Sequence, residues 1–289
     1  MDVMPVIRPA TTWSGGLATD DLGRTDVRPP LVLLHGMTFD RTMWGDIISE
    51  LQRIDPGRRV VAIDLPGHGQ SPDQPAYEFD DIVEQIHRVV QDAGLTAPAL
   101  VGHSASGGFA TAYAARHPSR AVVNIDSTLQ IEPFVMLLQS LGDRLRGPEF
   151  PTLWEQIFYA SFHVELLPAA AQHLVRSTCR PRQDVVLGFW RQLIDQPAAE
   201  VTSMIEQESA ALRDSGMPYL YIAGDDLAPG YRRWLAEHLP AATVEIWPGT
   251  GHFPHLADPP RFAQRLADWT ASPASSDGDL NDRGTSRTV

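Results

Sequence analysis

The sequence predicts an α/β protein with a mostly parallel, doubly wound sheet and an all-helical segment inserted between two strands. Two observations lead to this prediction. Short apolar runs that end in glycine or a polar residue alternate with stretches of helical spacing, as expected for strands buried on both faces and joined by helices. The alternation breaks once, over residues 127–213, where helical patterning continues and no strand pattern appears.

The predicted elements follow in order along the chain. A first antiparallel hairpin is expected around the sequence WSGGLA, residues 13–18. The apolar runs then predict strands over residues 29–36, 58–71, 97–104, 119–126, 218–226 and 242–249. Helices are predicted between them, over residues 43–53, 79–93, 106–116, 231–239 and 260–270. Because parallel neighbours need right-handed crossover connections, we expect these helices to cover both faces of the sheet.

The same patterns divide the chain into domains. Residues 1–126 and 214–271 are expected to form the α/β core, and residues 127–213 form what we call the helical insertion, in which prolines repeatedly interrupt the pattern. The insertion contains eight aromatic residues, and core packing is the default account of them: Phe134, Phe150, Trp154, Phe158, Tyr159, Phe162, Phe189 and Trp190. The small polar residues of the tail, 272–289, predict disorder.

Composition excludes several classes of function. A formal charge of −13 argues against a nucleic-acid partner. All 23 basic residues are arginine, so Schiff-base chemistry, pyridoxal enzymes and lysine-containing phosphate loops are excluded. The only cysteine, Cys179, permits neither an internal disulfide nor a multi-cysteine zinc site, and we expect it to pack as a small hydrophobic residue.

The chain shows no sequence feature of export or membrane insertion. Its N-terminal stretch lacks the charged and apolar regions of a signal peptide, and no apolar run approaches the roughly 18 residues of a membrane span. We therefore expect a soluble cytoplasmic protein without a membrane partner. Its oligomeric state cannot be read from the sequence.

The sequence LVGHSASGGFA, residues 100–110, contains two serines that are candidate nucleophiles. A catalytic serine on a sharp strand-to-helix turn directly follows its strand and is flanked by small residues. Ser104 occupies that place after the strand PALVG, although Ser106 stands two positions later where glycine is usual. Ser106 falls in the first turn of the helix, where serine is a good capping residue. The pattern therefore favours Ser104 as the nucleophile.

Four motifs together resemble the α/β-hydrolase fold superfamily, and they occur in its order. They are LLHGMTFDRTMW, DLPGHGQSP, GHSASGG and PGTGHFPHLADPPRFA, and the resemblance covers residues 29–271. It implies the α/β-hydrolase fold, with the helical insertion in the position of that family's cap. It further implies a triad of serine, histidine and acid with neither cofactor nor metal.

Residue by residue, the resemblance assigns His252 as the base. His35 and His103 match positions that are usually structural, and His68 lies in a glycine-rich turn. His255 could pair with His252 at a metal, but no carboxylate stands at ligand spacing. An oxyanion hole would use the backbone N–H groups of Ala105 and of Met37, with Thr38 the weaker alternative to Met37.

The triad acid has two candidates. The family's usual acid follows the penultimate strand three residues after a glycine, but Leu227 stands at that position after Gly224. Asp226, one residue earlier, can serve if a shorter loop delivers it. Asp126 ends the preceding strand, where some superfamily members, including certain lactone hydrolases, carry the acid. The two are nearly equal candidates, with Asp226 slightly preferred.

These assignments predict a serine hydrolase that cleaves a carboxylic ester or lactone of a medium-sized hydrophobic substrate through an acyl-enzyme. The alternatives are a C–C bond hydrolase, a cofactor-free lyase or an acyl-transfer enzyme using the same triad, and less readily a non-catalytic ligand-binding receptor. We expect the substrate pocket between the sheet edge and the insertion. Four arginines of the insertion could meet a substrate carboxylate, although solvation is the default expectation for Arg144, Arg146, Arg180 and Arg182.

Overall fold

The computed structural model describes residues 10–271, so the tail expected to be disordered lies outside the described residues. Its centre is an eight-stranded sheet in the order β1-β2-β4-β3-β5-β6-β7-β8. β1 and β2 form the predicted hairpin and run antiparallel to their neighbours, whereas the other six strands are parallel. The strands are Thr12–Ser14, Leu17–Leu22, Leu31–Leu34, Val60–Ile63, Ala99–His103, Ala121–Ile125, Tyr219–Ala223 and Thr243–Ile246. The predicted fold class is confirmed.

Helices cover both faces of the sheet. In chain order α1 to α11 are Gly45–Ile54, Phe79–Asp92, Ala105–Arg116, Glu132–Arg146, Phe150–Leu153, Ala169–Thr178, Gln183–Asp195, Ala198–Asp214, Pro229–His238, Pro254–Ala257 and Pro259–Ala271. One face packs on α2, α3 and α9 through an apolar cluster around Leu100 and Val122. The other face packs on α1 and α11 around Trp44 and Phe262. This is the doubly wound arrangement that the alternating pattern predicts.

The chain between β6 and β7 is helical throughout, as predicted. Besides α4 to α8 it contains a π-helical stretch, Trp154–Tyr159, and two short 3₁₀ turns. These elements have an apolar cluster of their own, in which Leu138, Trp154 and Trp190 are buried. The insertion is therefore a packed layer with its own core.

Helix α8 connects the insertion to the core. Its C-terminal part packs against α3 and α9, and Leu212 is buried in the same apolar cluster as the sheet. The Arg116 guanidinium, at the end of α3, pairs with the Glu208 carboxylate. The expected domain boundary at residue 213 therefore falls inside a helix that contacts both parts, and that boundary stays a prediction.

A membrane-spanning helix is not found in the described range, 10–271, where no helix combines the required length and apolar character.

Candidate active site

Ser104 lies at the tip of a sharp turn between β5 and α3. Its backbone has φ 54° and ψ −132°, a conformation that non-glycine residues rarely adopt. The turn is crowded, since a Cβ at Gly102 would lie 2.1 Å from the carbonyl oxygen of Ser106. This is the strained strand-to-helix turn that the sequence pattern predicts around Ser104.

Ser106 is buried inside the turn and has a structural partner. Its side chain is fully inaccessible to solvent, and its hydroxyl donates a hydrogen bond to the His35 carbonyl oxygen. That bond ties the first turn of α3 to the loop after β3. It also explains how serine is accommodated where the family usually has glycine.

His252 lies on the loop between β8 and α10, with its two ring nitrogens in different surroundings. Nδ1 is 2.7 Å from Oδ2 of Asp126. Nε2 is buried and has no hydrogen-bond partner among the described residues. The ring stacks on Phe162 with 4.9 Å between centroids and 10° between planes. The geometry leaves Nε2 as the nitrogen available to accept a proton.

The structure brings Asp126, and not Asp226, to His252. Asp126 directly follows β6, and its N–H donates to the Ile222 carbonyl at 2.8 Å. The Asp226 side chain is 91% exposed and faces Arg232 at 3.8 Å.

The physical reason lies in the loop after β7. A Cβ at Gly224 would lie 1.8 Å from the Gly251 carbonyl oxygen, so this loop packs tightly against the loop that carries His252. The carboxylate of Asp226 points to solvent instead. The slight preference for Asp226 stated above is therefore corrected in favour of Asp126 as the carboxylate that contacts His252.

The loop after β3 contributes Met37 to the cavity wall. The Thr38 N–H donates to His68 Nε2 at 3.1 Å, so the alternative donor is already occupied. Met37 and Ala105 both line the same cavity as Ser104, and neither N–H has a hydrogen-bond acceptor among residues 10–271. The two backbone groups expected to form an oxyanion hole are therefore the available ones.

Four further histidines are buried near the site, and burial lowers the pKa of each. The pKa falls to about 4 for His35 and to about 3 for His68 and His255, and it lies well below 6.5 for His103. Nε2 of His103 is 2.8 Å from the carbonyl oxygen of His252. The neutral His103 ring therefore donates a hydrogen bond from Nε2–H to that oxygen. These groups are uncharged at neutral pH.

Metal ligation and thiol chemistry have no visible site here. Across the described chain, no group of three or more His, Cys, Asp or Glu side chains is arranged to hold a metal ion. Cys179 follows α6 and packs among apolar residues, as predicted, and burial raises the pKa of its thiol.

A cavity of about 330 Å³ lies over the sheet edge, beneath the helical insertion. Ser104, Asp126 and His252 line it together with Met37 and Ala105. Apolar side chains dominate the rest of its wall. Six of the eight insertion aromatics contribute to the wall: Phe134, Trp154, Phe158, Phe162, Phe189 and Trp190. Sequence reasoning attributed these aromatics mainly to core packing, since their density is not unusual.

No arginine lines this cavity among the residues that the structure describes. Arg144, Arg146 and Arg182 pair with surface carboxylates, and the Arg180 side chain bonds the Cys179 carbonyl. All four arginines are exposed at the surface, as expected. Asp126 and Glu208 are the charged residues in the wall.

Glu208 is a cavity residue that sequence reasoning missed. Helix α8 faces the cavity with Val201, Met204, Ile205 and Glu208. These residues are three or four positions apart and so lie on one face of the helix. The sequence signal for Glu208 is therefore a carboxylate that continues an otherwise apolar helix face.

Comparisons with known proteins agree with this fold. Residues 31–265 match the model of the alpha/beta hydrolase family. The 2-succinyl-6-hydroxy-2,4-cyclohexadiene-1-carboxylate synthase of Serratia proteamaculans is 28% identical over 85% of this chain and 94% of that protein. The pimeloyl-acyl-carrier-protein methyl ester esterase of Nitrosomonas europaea is 28% identical over 85% and 97%. An esterase structure from Exiguobacterium antarcticum superposes with a TM-score of 0.68 at 19% identity, covering 89% of this chain and 96% of that one, which shows a shared fold.

Proposed function

This chain belongs to the alpha/beta hydrolase family, and we propose that it is a serine hydrolase that cleaves an uncharged carboxylic ester or lactone. The main observation in support is the 2.7 Å contact between His252 Nδ1 and Asp126. The other ring nitrogen has no partner among residues 10–271, and His252 lines the same cavity as Ser104. The esterases among its relatives support an enzyme of this superfamily.

In the proposed reaction, Ser104 is the nucleophile. Its Oγ attacks the substrate carbonyl while Nε2 of His252 takes the hydroxyl proton. Asp126 accepts a hydrogen bond from Nδ1–H, which holds the ring in the required tautomer and stabilises the imidazolium that forms. The N–H groups of Met37 and Ala105 stabilise the oxyanion, and that of Ala105 is favoured by its place at a helix N-terminus.

The acyl-enzyme then forms and is hydrolysed. After the attack has formed the bond between Oγ and the carbonyl carbon, His252 returns the proton to the leaving alkoxide oxygen as the ester C–O bond breaks. His252 next deprotonates a water molecule that attacks the acyl carbon. The acyl C–Oγ bond breaks, His252 gives the proton to Oγ, and the acid and the free Ser104 hydroxyl are released. Apolar aromatic walls suit a medium-sized hydrophobic acyl or alcohol group.

The charge of the cavity favours this class over that of the synthase relative. The product named for that relative is a carboxylate. A substrate of that charge would meet the carboxylates of Asp126 and Glu208 here without a compensating arginine in the described cavity wall. An uncharged ester avoids this repulsion.

A kinetic and mass-spectrometric experiment tests the proposal. We expect the purified protein to hydrolyse uncharged p-nitrophenyl esters or lactones, with an acyl adduct on Ser104 visible by intact mass and peptide mapping. Ser104→Ala should lower kcat by a factor on the order of a thousand or more. Retained turnover in that variant would contradict the nucleophile. Turnover of other substrates without an adduct would favour the lyase, and binding without turnover would favour the receptor.

A further inference from the structure

Helix α8 places an isolated carboxylate in the apolar wall of the cavity. Val201, Met204, Ile205 and Glu208 stand at spacings of one helical face, and all four line the cavity. The first three are apolar, so the face would be a plain hydrophobic wall without Glu208. Three phenylalanines of the core and of α7 also line the cavity: Phe79, Phe109 and Phe189.

Glu208 is buried and only partly satisfied. The residue retains 8% exposure, and Oε1 accepts a hydrogen bond from Arg116 at 2.5 Å. Its second oxygen, Oε2, has no hydrogen-bond partner within the described chain, and it keeps some surface that water can reach. A carboxylate oxygen has lone pairs for further donors. A donor group of a molecule bound in the cavity that Glu208 lines can therefore reach an open acceptor.

Arg116 contacts Glu208 from outside the cavity. It is absent from the cavity wall, and its guanidinium lies 6.0 Å from the centroid of the Phe79 ring. It is shared with a second carboxylate, since it also pairs with Asp80 at 2.7 Å. Arg116 therefore pairs with the exposed carboxylate of Asp80 and with the buried carboxyl group of Glu208, whose pKa burial raises.

Building on the proposed function, we infer that Glu208 is a specificity-determining residue that accepts a hydrogen bond from a substrate hydroxyl group. The preferred substrate is then an ester whose hydrophobic chain carries a hydroxyl away from the scissile bond. The aromatic walls hold the chain, and Glu208 selects its polar end. A site that accepts such a bond discriminates against analogues that lack the donor, because its own acceptor is then left unpaired.

The same ion pair could instead serve only to hold α8 on α3. In that case, Glu208 variants lose stability and affect all substrates alike. If Glu208 binds a substrate hydroxyl, its variants should instead lower kcat/KM for the hydroxylated esters and leave kcat/KM for the unhydroxylated esters unchanged. The two readings are separated by comparing matched substrates in one variant.

The experiment uses two series of p-nitrophenyl or alkyl esters, with the hydroxyl placed at the end of either the acyl chain or the alcohol chain. Each hydroxylated ester is paired with its unhydroxylated counterpart of the same length. In one series we expect the hydroxyl to raise kcat/KM, and Glu208→Met to reduce that advantage about tenfold. Glu208→Gln, which keeps the shape, should give a smaller loss.

Controls separate this outcome from misfolding and from failure of the proposed function. Glu206→Gln removes a half-exposed charge from the same helix and should leave the ratio unchanged. Calorimetric titration of Ser104→Ala with the same ester pairs measures binding without chemistry. The hydroxylated esters could bind more tightly than their counterparts in a way that depends on Glu208, while the native protein turns none of them over. That result would overturn the proposed hydrolase and support the role of Glu208 in binding a hydroxyl group. A ratio insensitive to Glu208 in both series, or equal losses for all substrates, would overturn the inference.

Discussion

At the scale of single residues, two aspartates follow neighbouring parallel strands, yet their side chains have different surroundings. β6 and β7 are paired, so Asp126 and Asp226 leave the same edge of the sheet. Asp126 is 2.7 Å from His252, whereas Asp226 is exposed beside Arg232. A carboxylate can orient an imidazole only through direct contact. The proposal therefore assigns this role to Asp126.

Replacing each aspartate by asparagine tests that assignment. Asp126→Asn should lower kcat about 10⁴-fold, because an amide stabilises the wrong tautomer of His252 and does not balance its charge. Asp226→Asn is the matched change and should leave kcat within about twofold, since surface substitutions away from a site have small effects. Steady-state hydrolysis of an uncharged ester measures both. The reverse pattern would assign the acid to Asp226.

Sequence reasoning could place Ser104 at the turn between β5 and α3 but could not select between the two aspartates. The place of Ser104 follows from a local pattern, namely a buried strand followed directly by a helix. The choice between Asp126 and Asp226 depends on how closely Gly224 and Gly251 pack, and these residues come from distant parts of the chain. Such a contact leaves no pattern within a short stretch of sequence.

At the scale of elements, α10 and α11 pack a histidine into the core. His255 is fully buried, and neither ring nitrogen has a hydrogen-bond partner in the described chain. Its ring lies 5.0 Å from Trp44 and 5.9 Å from Phe262, centroid to centroid. Burial, and to a smaller extent repulsion from His252, lowers the pKa of His255 from 6.5 to about 3. The packing of these elements requires the neutral ring.

This burial predicts how stability depends on pH. Between pH 6.5 and about 3, His255 binds a proton in the unfolded chain but not in the folded one. The free energy of unfolding is therefore fully present above pH 6.5 and decreases as the pH is lowered below that value. Each such group contributes a slope of up to about 1.4 kcal/mol per pH unit. His255→Leu should make the fall shallower in chemical denaturation series at different pH values.

A non-titrating variant of the same core is the control. Phe253→Leu changes the packing beside His255, so it should lower stability without changing its pH slope. An unchanged slope in His255→Leu would show that the ring does not titrate on unfolding in this range. His35, His68 and His103 also have pKa values lowered by burial. They therefore also reduce stability as the pH is lowered, and part of the pH dependence remains in both variants.

At the scale of the whole molecule, charge and cavity act together. The chain has a formal charge of −13, and the described cavity wall contains carboxylates but no arginine. The long-range field and the local field therefore both disfavour an anionic substrate. Local repulsion within the cavity is screened by salt less than the long-range field is.

We therefore expect poor hydrolysis of esters that carry a terminal carboxylate. Their kcat/KM should be lower than that of the uncharged ester of equal length by about tenfold or more. Gln192→Arg, which places a cation in the cavity wall, should narrow the difference. Equal kcat/KM values for the two esters, in low and in high salt, would contradict this account of the cavity.

The overall architecture could be predicted because it follows from patterns repeated along the chain. Six apolar runs and the interruption at 127–213 correspond to the parallel strands and the helical insertion. The cavity wall could not be predicted in the same way. Phe134, Trp154 and Trp190 pack against one another and also line the cavity, so burial and substrate contact produce the same apolar pattern.

The central claim is that Ser104 is an activated nucleophile, and labelling by a fluorophosphonate probe tests it most directly. The modified residue is identified by peptide mass spectrometry in the native protein, Ser104→Ala and Ser106→Ala. The account predicts label on Ser104, lost in the first variant and retained in the second. Label on Ser106, or a folded native protein that takes up no label, would contradict it.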